Sequence, residues 1–139
     1  MHRKILHGLD GSAGSFKAFE EALELARLSG VELHTISVEE VPHYPETIGE
    51  FFEEKDAVNS TFKEALKKAR EMAAAKKVGI HCHVIVGHEV KTVIEFIKQR
   101  QFDLLVIGFM GHSAIYDRVM GSTCQSLVRL APCTVLVVK

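Results

Sequence analysis

The sequence predicts an α/β fold: an open, mostly parallel five-stranded sheet in the order 3-2-1-4-5, with helices on both faces and residues 1–139 in one domain. Three observations lead there. Short apolar runs of strand length alternate with longer segments whose apolar residues recur every three or four positions, as in amphipathic helices. A strand followed by a helix and another strand implies parallel neighbours joined by right-handed crossovers, so both faces of the sheet are covered. Finally, polar or glycine-rich turns follow two of the strands, Asp10-Gly11-Ser12 after the first and Gly108 to Gly111 after the fourth. In open sheets of this class ligands sit beyond the carboxyl ends of strands where the strand order reverses, which puts strands one and four side by side.

Each element has its own justification. Lys4 to Leu9 reads as the first strand, interrupted by His7 and stopped by Asp10, Gly11 and Ser12. Ser12 or Ser15 caps a helix whose apolar face is Phe19, Ala22, Leu23 and Ala26, with Gly30 as its stop. Val31 to Val38 forms the second strand. Glu39 to Glu54 holds two prolines, a glycine and several acids, and reads as a loop leading into a helix. The helical pattern runs from about Asp56 to Lys77, with Phe62, Leu66, Ala69 and Ala73 as its core stripe and Gly79 as its end. Ile80 to Val86 is the third strand, Val90, Val93, Ile94 and Ile97 mark the third helix, and the apolar run from Leu104 is the fourth strand. A last helix begins near Gly121 or Ser122, reaches Leu130 and is stopped by Pro132, after which Thr134 to Val138 is the fifth strand.

Composition excludes several function classes. Net charge is −1, with both signs interspersed and no basic block to act as an electrostatic footprint for DNA or RNA. No run approaches the ~20 apolar residues of a membrane span, and the N-terminus is too short in its apolar part for a signal peptide. Three cysteines, Cys82, Cys124 and Cys133, are an odd number without CxxC spacing and point to a reduced, cytoplasmic setting.

The stretch from Asp103 to Lys139 carries the chemistry. Glycines let backbone N–H groups approach a ligand closely, and a helix starting at Gly121 or Ser122 turns its unsatisfied amides and positive dipole end outward, a place for an anion such as phosphate. On spacing alone this reading and a plainer one weigh evenly: Gly108 ends a strand, Gly111 makes a turn and Ser122 caps a helix.

Four segments in this order, GLDGS near the start, DLLVIG, Gly108-x2-Gly111-x9-Gly121-Ser122, and APCTVLVV at the end, resemble the universal stress protein family over the whole length. The glycine pattern is similar to the mark of its ATP-binding members. The resemblance implies a Rossmann-like, homodimeric stress-response module that binds ATP, or ADP or AMP, with Mg2+ accompanying the nucleotide. It implies that Asp10, between Leu9 and Ser12, serves the ribose and adenine side, and that backbone near Val38 meets the adenine edge. Gly108, Met110, Gly111, His112, Gly121, Ser122 and Thr123 fall on the segment that holds ribose and phosphates. The last strand, Thr134, Val135, Leu136, Val137 and Val138, is implied to pair antiparallel with its copy in a second subunit, which removes an exposed apolar edge. An unidentified protein partner is a further implication.

Departures from the pattern keep other readings open. Phe109 and Met110 stand where the family has small and polar residues; they narrow the phosphate path or pack on adenine, and His112 is left as the basic group. The alternatives to a nucleotide-binding regulator are a slow ATPase or autophosphorylating enzyme, with Asp10, His112 and Asp117 near the phosphates, and an interaction protein with a decayed site. No GxxxxGK[ST], HExxH or GxSxG is present, and no catalytic residue is assigned. Asp10 alone also reads as an ordinary residue of a helix start. On the third strand His81 and His83 share a face opposite Cys82; two ligands fall short of a zinc set, so no metal site is assigned. His7 and His34 read as buried, hydrogen-bonded residues within strands.

Overall fold

The computed structural model describes residues 2–40, 62–109 and 120–139. Among these, five strands form one parallel sheet in the order β3-β2-β1-β4-β5, as expected. The strands are β1 (Ile5–Gly8), β2 (Leu33–Glu39), β3 (Ile80–Val86), β4 (Leu104–Gly108) and β5 (Thr134–Val138). The helices between them are α1 (Ala13–Ser29), α2 (Lys63–Lys76), α3 (Glu89–Arg100) and α4 (Ser122–Leu130).

Period-two alternation along the strands divides the core into two layers. Ile5, Leu9, Leu33, Leu104 and Val106 face α1 and α2, where Phe19, Leu23, Leu66 and Ala69 cover them. Leu6, Ile36, Leu105 and Ile107 face α3 and α4, against Val93, Ile97 and Leu127. Each large apolar side chain buried in this way contributes roughly 1.5–3 kcal/mol. The stripe Phe62, Leu66, Ala69 and Ala73 is core, as its spacing indicates.

Element boundaries moved for identifiable reasons. Gly30 stops α1 in the left-handed conformation, φ 68°, and the Val31 amide closes back onto the Ala26 carbonyl. Val31 therefore belongs to the helix cap, and β2 starts two residues later than expected. At the end of α2 it is not Gly79 but Lys77 that takes the left-handed conformation, φ 57°, with its amide on the Ala73 and Ala74 carbonyls. The expected start of this helix near Asp56, and the loop before it, lie outside the described residues.

Parallel registry places β1 beside both β2 and β4, with Gly8 opposite Ile36 and His7 opposite Val106. Here the strand order reverses. The carboxyl ends of β1 and β4 thus turn away from each other to opposite sides of the sheet, which opens the space occupied by the candidate site.

Candidate functional site

A cleft of about 410 Å³ opens at this switch point. Its floor is apolar, made by Ile36, Leu105, Ile107, Val93 and Leu127, and its rim is polar. Eight of the residues singled out from the sequence line it together: Leu9, Asp10, Ser12, Val38, Gly108, Gly121, Ser122 and Thr123. Met110, Gly111 and His112 lie outside the described residues, as does Asp117. Phe109 does not line the cleft. Its amide donates to the Val138 carbonyl at 2.9 Å and Lys139 Nζ lies 5.6 Å from its ring centroid, so it belongs to the β5 end.

The wall after β1 is built by local hydrogen bonds. The Asp10 carboxylate accepts from the Ser12 amide at 2.8 Å, an Asx turn that reverses the chain over Gly11, whose φ of 85° favours glycine. Ser12 then caps α1, its Oγ accepting from the Ser15 amide at 3.1 Å, while Ser15 Oγ donates to the Ser12 carbonyl at 2.9 Å. Beneath this turn His7 is fully buried and donates from Nε2 to the Ser15 carbonyl at 2.8 Å. That bond fixes the tautomer, leaving Nδ1 as an acceptor. Burial pushes the imidazole down from 6.5 to about 4, so His7 is a neutral brace for the first turn of α1 at physiological pH.

The neighbouring wall is the end of β2. In a parallel ladder the amide and carbonyl of one residue face the same neighbour, and those of the next residue face the other side. Ile36 accepts from the Leu9 amide on the β1 side at 2.9 Å, and Glu39 accepts from the Gly87 amide on the β3 side at 3.0 Å. Val38 therefore faces the β1 side, level with the point where β1 has turned into Asp10. The Leu9 carbonyl there accepts from the Ser37 hydroxyl at 2.7 Å. Backbone polar groups of Val38 consequently front the cleft.

The starts of α1, α3 and α4 border it, and they differ. The first turn of α1 is capped by Ser12. At α3 the Glu89 amide donates to the Glu40 carboxylate at 3.0 Å. At α4 the N-cap is Gly121, which has no side chain to offer, and no described side chain caps the turn. The Gly121 amide donates to the Phe109 carbonyl and the helix ladder begins with Gln125 donating to Gly121, so among the described residues the amides of Ser122, Thr123 and Cys124 have no backbone acceptor. The helix dipole adds positive potential at that point.

Gly108 has a reason that the motif does not reveal. A Cβ there would come 2.8 Å from the Gly14 carbonyl oxygen and 3.3 Å from the Ser15 amide nitrogen, both backbone. The residue is glycine because α1 begins against it. Gly121, by contrast, has φ −60° and ψ 149°, a conformation open to any residue.

Sequence reasoning missed Glu39, Glu89, Phe62 and Cys124, which also line the cleft. Glu39 and Glu89 matter because, with Asp10, they make one side of the rim acidic while α4 offers donors on the other. Their one available signal was position, at the end of strand two and three residues beyond strand three. Cys124 is buried and burial pushes its thiol up, so it stays protonated and is not a nucleophile at neutral pH. Among the described residues no group of three His, Cys, Asp or Glu side chains converges on a metal position, and no helix is long and apolar enough to cross a membrane. Among the described residues β5, expected as a subunit contact, is an edge strand paired with β4 alone, and its Leu136 is exposed.

Comparisons with known proteins agree with this architecture. Residues 1–139 match the universal stress protein family. A universal stress protein of Methanocaldococcus jannaschii is 30% identical over 147 residues, covering 100% of this chain and 83% of its own. A universal stress protein A homologue of Coxiella burnetii is 32% identical over 143 residues, covering 99% and 97%. Among solved structures, UspA from Lactobacillus plantarum superposes with a TM-score of 0.85 at 26% identity, covering 99% of this chain and 97% of its own. A universal stress protein solved in complex with cAMP gives 0.77 at 25% identity, over 99% and 97%. The chain belongs to the universal stress protein family.

Proposed function

We propose that the cleft binds an adenine nucleotide, ATP or its shorter phosphates, and that the protein works as a homodimeric regulatory module rather than as an enzyme. One observation carries the reading: the uncapped amides of α4 face a wall of carboxylates across an apolar floor. Such a cleft suits a ligand that is anionic at one end, flat and apolar in the middle, and rich in hydroxyl or amino donors at the other. A nucleotide has these three properties in that order. Phosphate oxygens accept from the Ser122 and Thr123 amides and hydroxyls; ribose hydroxyls donate to Asp10; the base lies over Ile36 and Ile107, with its edge against the Val38 backbone. The relative solved with cAMP, 25% identical, supports a nucleotide as the class of ligand. Mg2+ fits as a companion of the phosphates that keeps most of its waters, since the described carboxylates do not gather into a set of their own. The homodimer rests on β5, an edge strand whose exposed Leu136 is covered when two copies pair.

The absence of an activated nucleophile among the described cleft residues favours binding over turnover. Isothermal titration with ATP, ADP, AMP and cAMP tests the reading, together with mass spectrometry of what the freshly purified protein releases on heating. Saturable heat with at least one of the four is expected. No heat with any of them at high micromolar ligand, and nothing released on denaturation, would overturn it.

A further inference from the structure

At the opposite end of the sheet from the cleft, three histidines gather on the face covered by α3. The His34 ring on β2 stacks on the His81 ring on β3, with centroids 4.7 Å apart and planes inclined by 23°. It meets His83 two residues further along, Nδ1 of His34 standing 3.0 Å from Nε2 of His83. These two rings are nearly coplanar, 4° apart, and their centroids are 5.3 Å apart, which is the N···N distance plus two ring radii. The nitrogens therefore face each other head-on. Because His34 is in register with His81 and His83 with Ile36, the bond runs diagonally across the β2–β3 pair and ties the two strands together. Head-on lone pairs converge on no third point, so this is the geometry of a shared proton rather than of a chelated metal.

We propose that the His34–His83 pair is an acid-operated joint that holds the edge strand β3 to the sheet while the two rings carry at most one proton beyond their neutral state. The chemistry follows from the donor inventory of imidazole. With both rings neutral, one N–H donates to the other ring's lone pair. With one added proton an imidazolium donates to a neutral imidazole, and the bond becomes charge-assisted. With a second, N–H faces N–H across 3.0 Å and the bond cannot exist.

The surroundings resist that second proton. Phe102 meets His34 edge-on and Phe96 tilts against His83, which excludes water from one side. Lys4 and Arg100 lie over those same two phenyl rings and add positive charge on that side. His81, stacked on His34, is a third titratable ring, and it is held by the Glu32 carboxylate at 3.0 Å. Among the described residues Glu32 is the acid that faces the group, and it is exposed. Burial first, then His81, His83 and Lys4, push His34 down to about 4; burial, Arg100 and His81 push His83 down as well. The unfolded chain, with histidines near about 6.5, therefore takes up protons before the pair does, so stability falls as pH drops below that value, and the joint itself parts when the second proton enters. Among the described residues β3 pairs on one side only, with β2, so the edge strand is the element released.

Histidine-specific 15N labelling tests this on the intact protein. At about pH 7.5 a scalar coupling across the N–H···N bond between His34 Nδ1 and His83 Nε2 is expected, disappearing towards about pH 4. Over the same range the Ile80–Val86 amides should exchange roughly tenfold faster relative to those of β4, after correction for intrinsic rates, tenfold being the factor for one unit of pKa displacement. In His83→Phe, or in His34→Phe should the first not fold, that acid-linked gain should vanish. No coupling at neutral pH would overturn the proposal. So would pH-independent exchange of β3, an acid response that persists in the variants, or stoichiometric Zn2+ bound through both nitrogens.

Discussion

Replacing Gly108 by alanine separates two explanations of the same residue. The new Cβ would stand 2.8 Å from the Gly14 carbonyl oxygen, 2.9 Å from its carbon and 3.3 Å from the Ser15 amide nitrogen, and none of these atoms can swing aside as a side chain can. The first turn of α1 must move by several tenths of an ångström. That turn is held from below by His7 on the Ser15 carbonyl and from within by the Ser12 cap, so the shift strains bonds buried among closely packed atoms. Overpacking of this kind costs about 1–3 kcal/mol, and weakening one buried hydrogen bond adds about 1 kcal/mol. A loss of about 2–4 kcal/mol is therefore expected, with a melting temperature lower by roughly 10 °C. Urea unfolding followed by circular dichroism measures it, beside an AMP titration of the same preparation. Unfolding of Gly108→Ala within about 0.5 kcal/mol of the parent would refute the packing role of this glycine. Lost AMP binding in so stable a variant would show that the glycine serves the ligand directly.

Gly121→Asp gives the opposite pattern: its φ and ψ are ordinary, an Asp N-cap is worth a few tenths of a kcal/mol over glycine, and its carboxylate takes the α4 amides that a phosphate needs. Unchanged or slightly raised stability with more than tenfold weaker AMP binding is expected, and undiminished binding would remove α4 from the site. His7 takes its proton at about 4 when folded and at about 6.5 when unfolded, so from neutral pH downward the unfolded state binds protons first and stability falls. The loss attributable to this fully buried ring is about 3 kcal/mol between pH 6.5 and 4; denaturant midpoints across that range should steepen in the parent relative to His7→Gln. Lys77→Gly relieves a left-handed residue at the end of α2 and should stabilise by about 0.5–1 kcal/mol in a thermal melt.

The fold was legible because its signals are local and repeated. Apolar runs of strand length, helical spacing and the stop at Gly30 each depend on residues a few positions apart, and the strand order follows from the two polar turns. What could not be read depends on the sheet being assembled. Lys77 and Gln101 take left-handed conformations that nothing in their side chains announces. Glu39 and Glu89 enter the rim because β2 and β3 end side by side next to the β1 turn. The pairing of His34 with His83 requires the β2–β3 register, so the sequence offered His81 and His83 as a pair and left His34 as a separate buried residue. Gly108 illustrates a further limit: a motif reports that glycine is needed, while coordinates report which atom takes the place of its Cβ.

Asp10 serves fold and site together, since it builds the turn and also lines the cleft. One of its oxygens accepts from the Ser12 amide, which explains an acid at this position without any ligand. Yet an Asx turn needs only a side-chain carbonyl oxygen, which asparagine supplies equally well, whereas a carboxylate has room for about four hydrogen bonds and brings a charge. Asp10→Asn therefore keeps the turn and removes what a ribose hydroxyl would gain from the charge. Its unfolding free energy should stay within about 0.5 kcal/mol of the parent. A hydrogen bond to a charged group contributes about 1.5–3 kcal/mol, so AMP affinity should fall by roughly ten- to a hundredfold, read by isothermal titration. Equal affinity with equal stability would reduce Asp10 to a turn residue and leave the acidic side of the cleft to Glu39 and Glu89. Lower stability with equal affinity would show that the charge serves the positive end of the α1 dipole rather than the ligand.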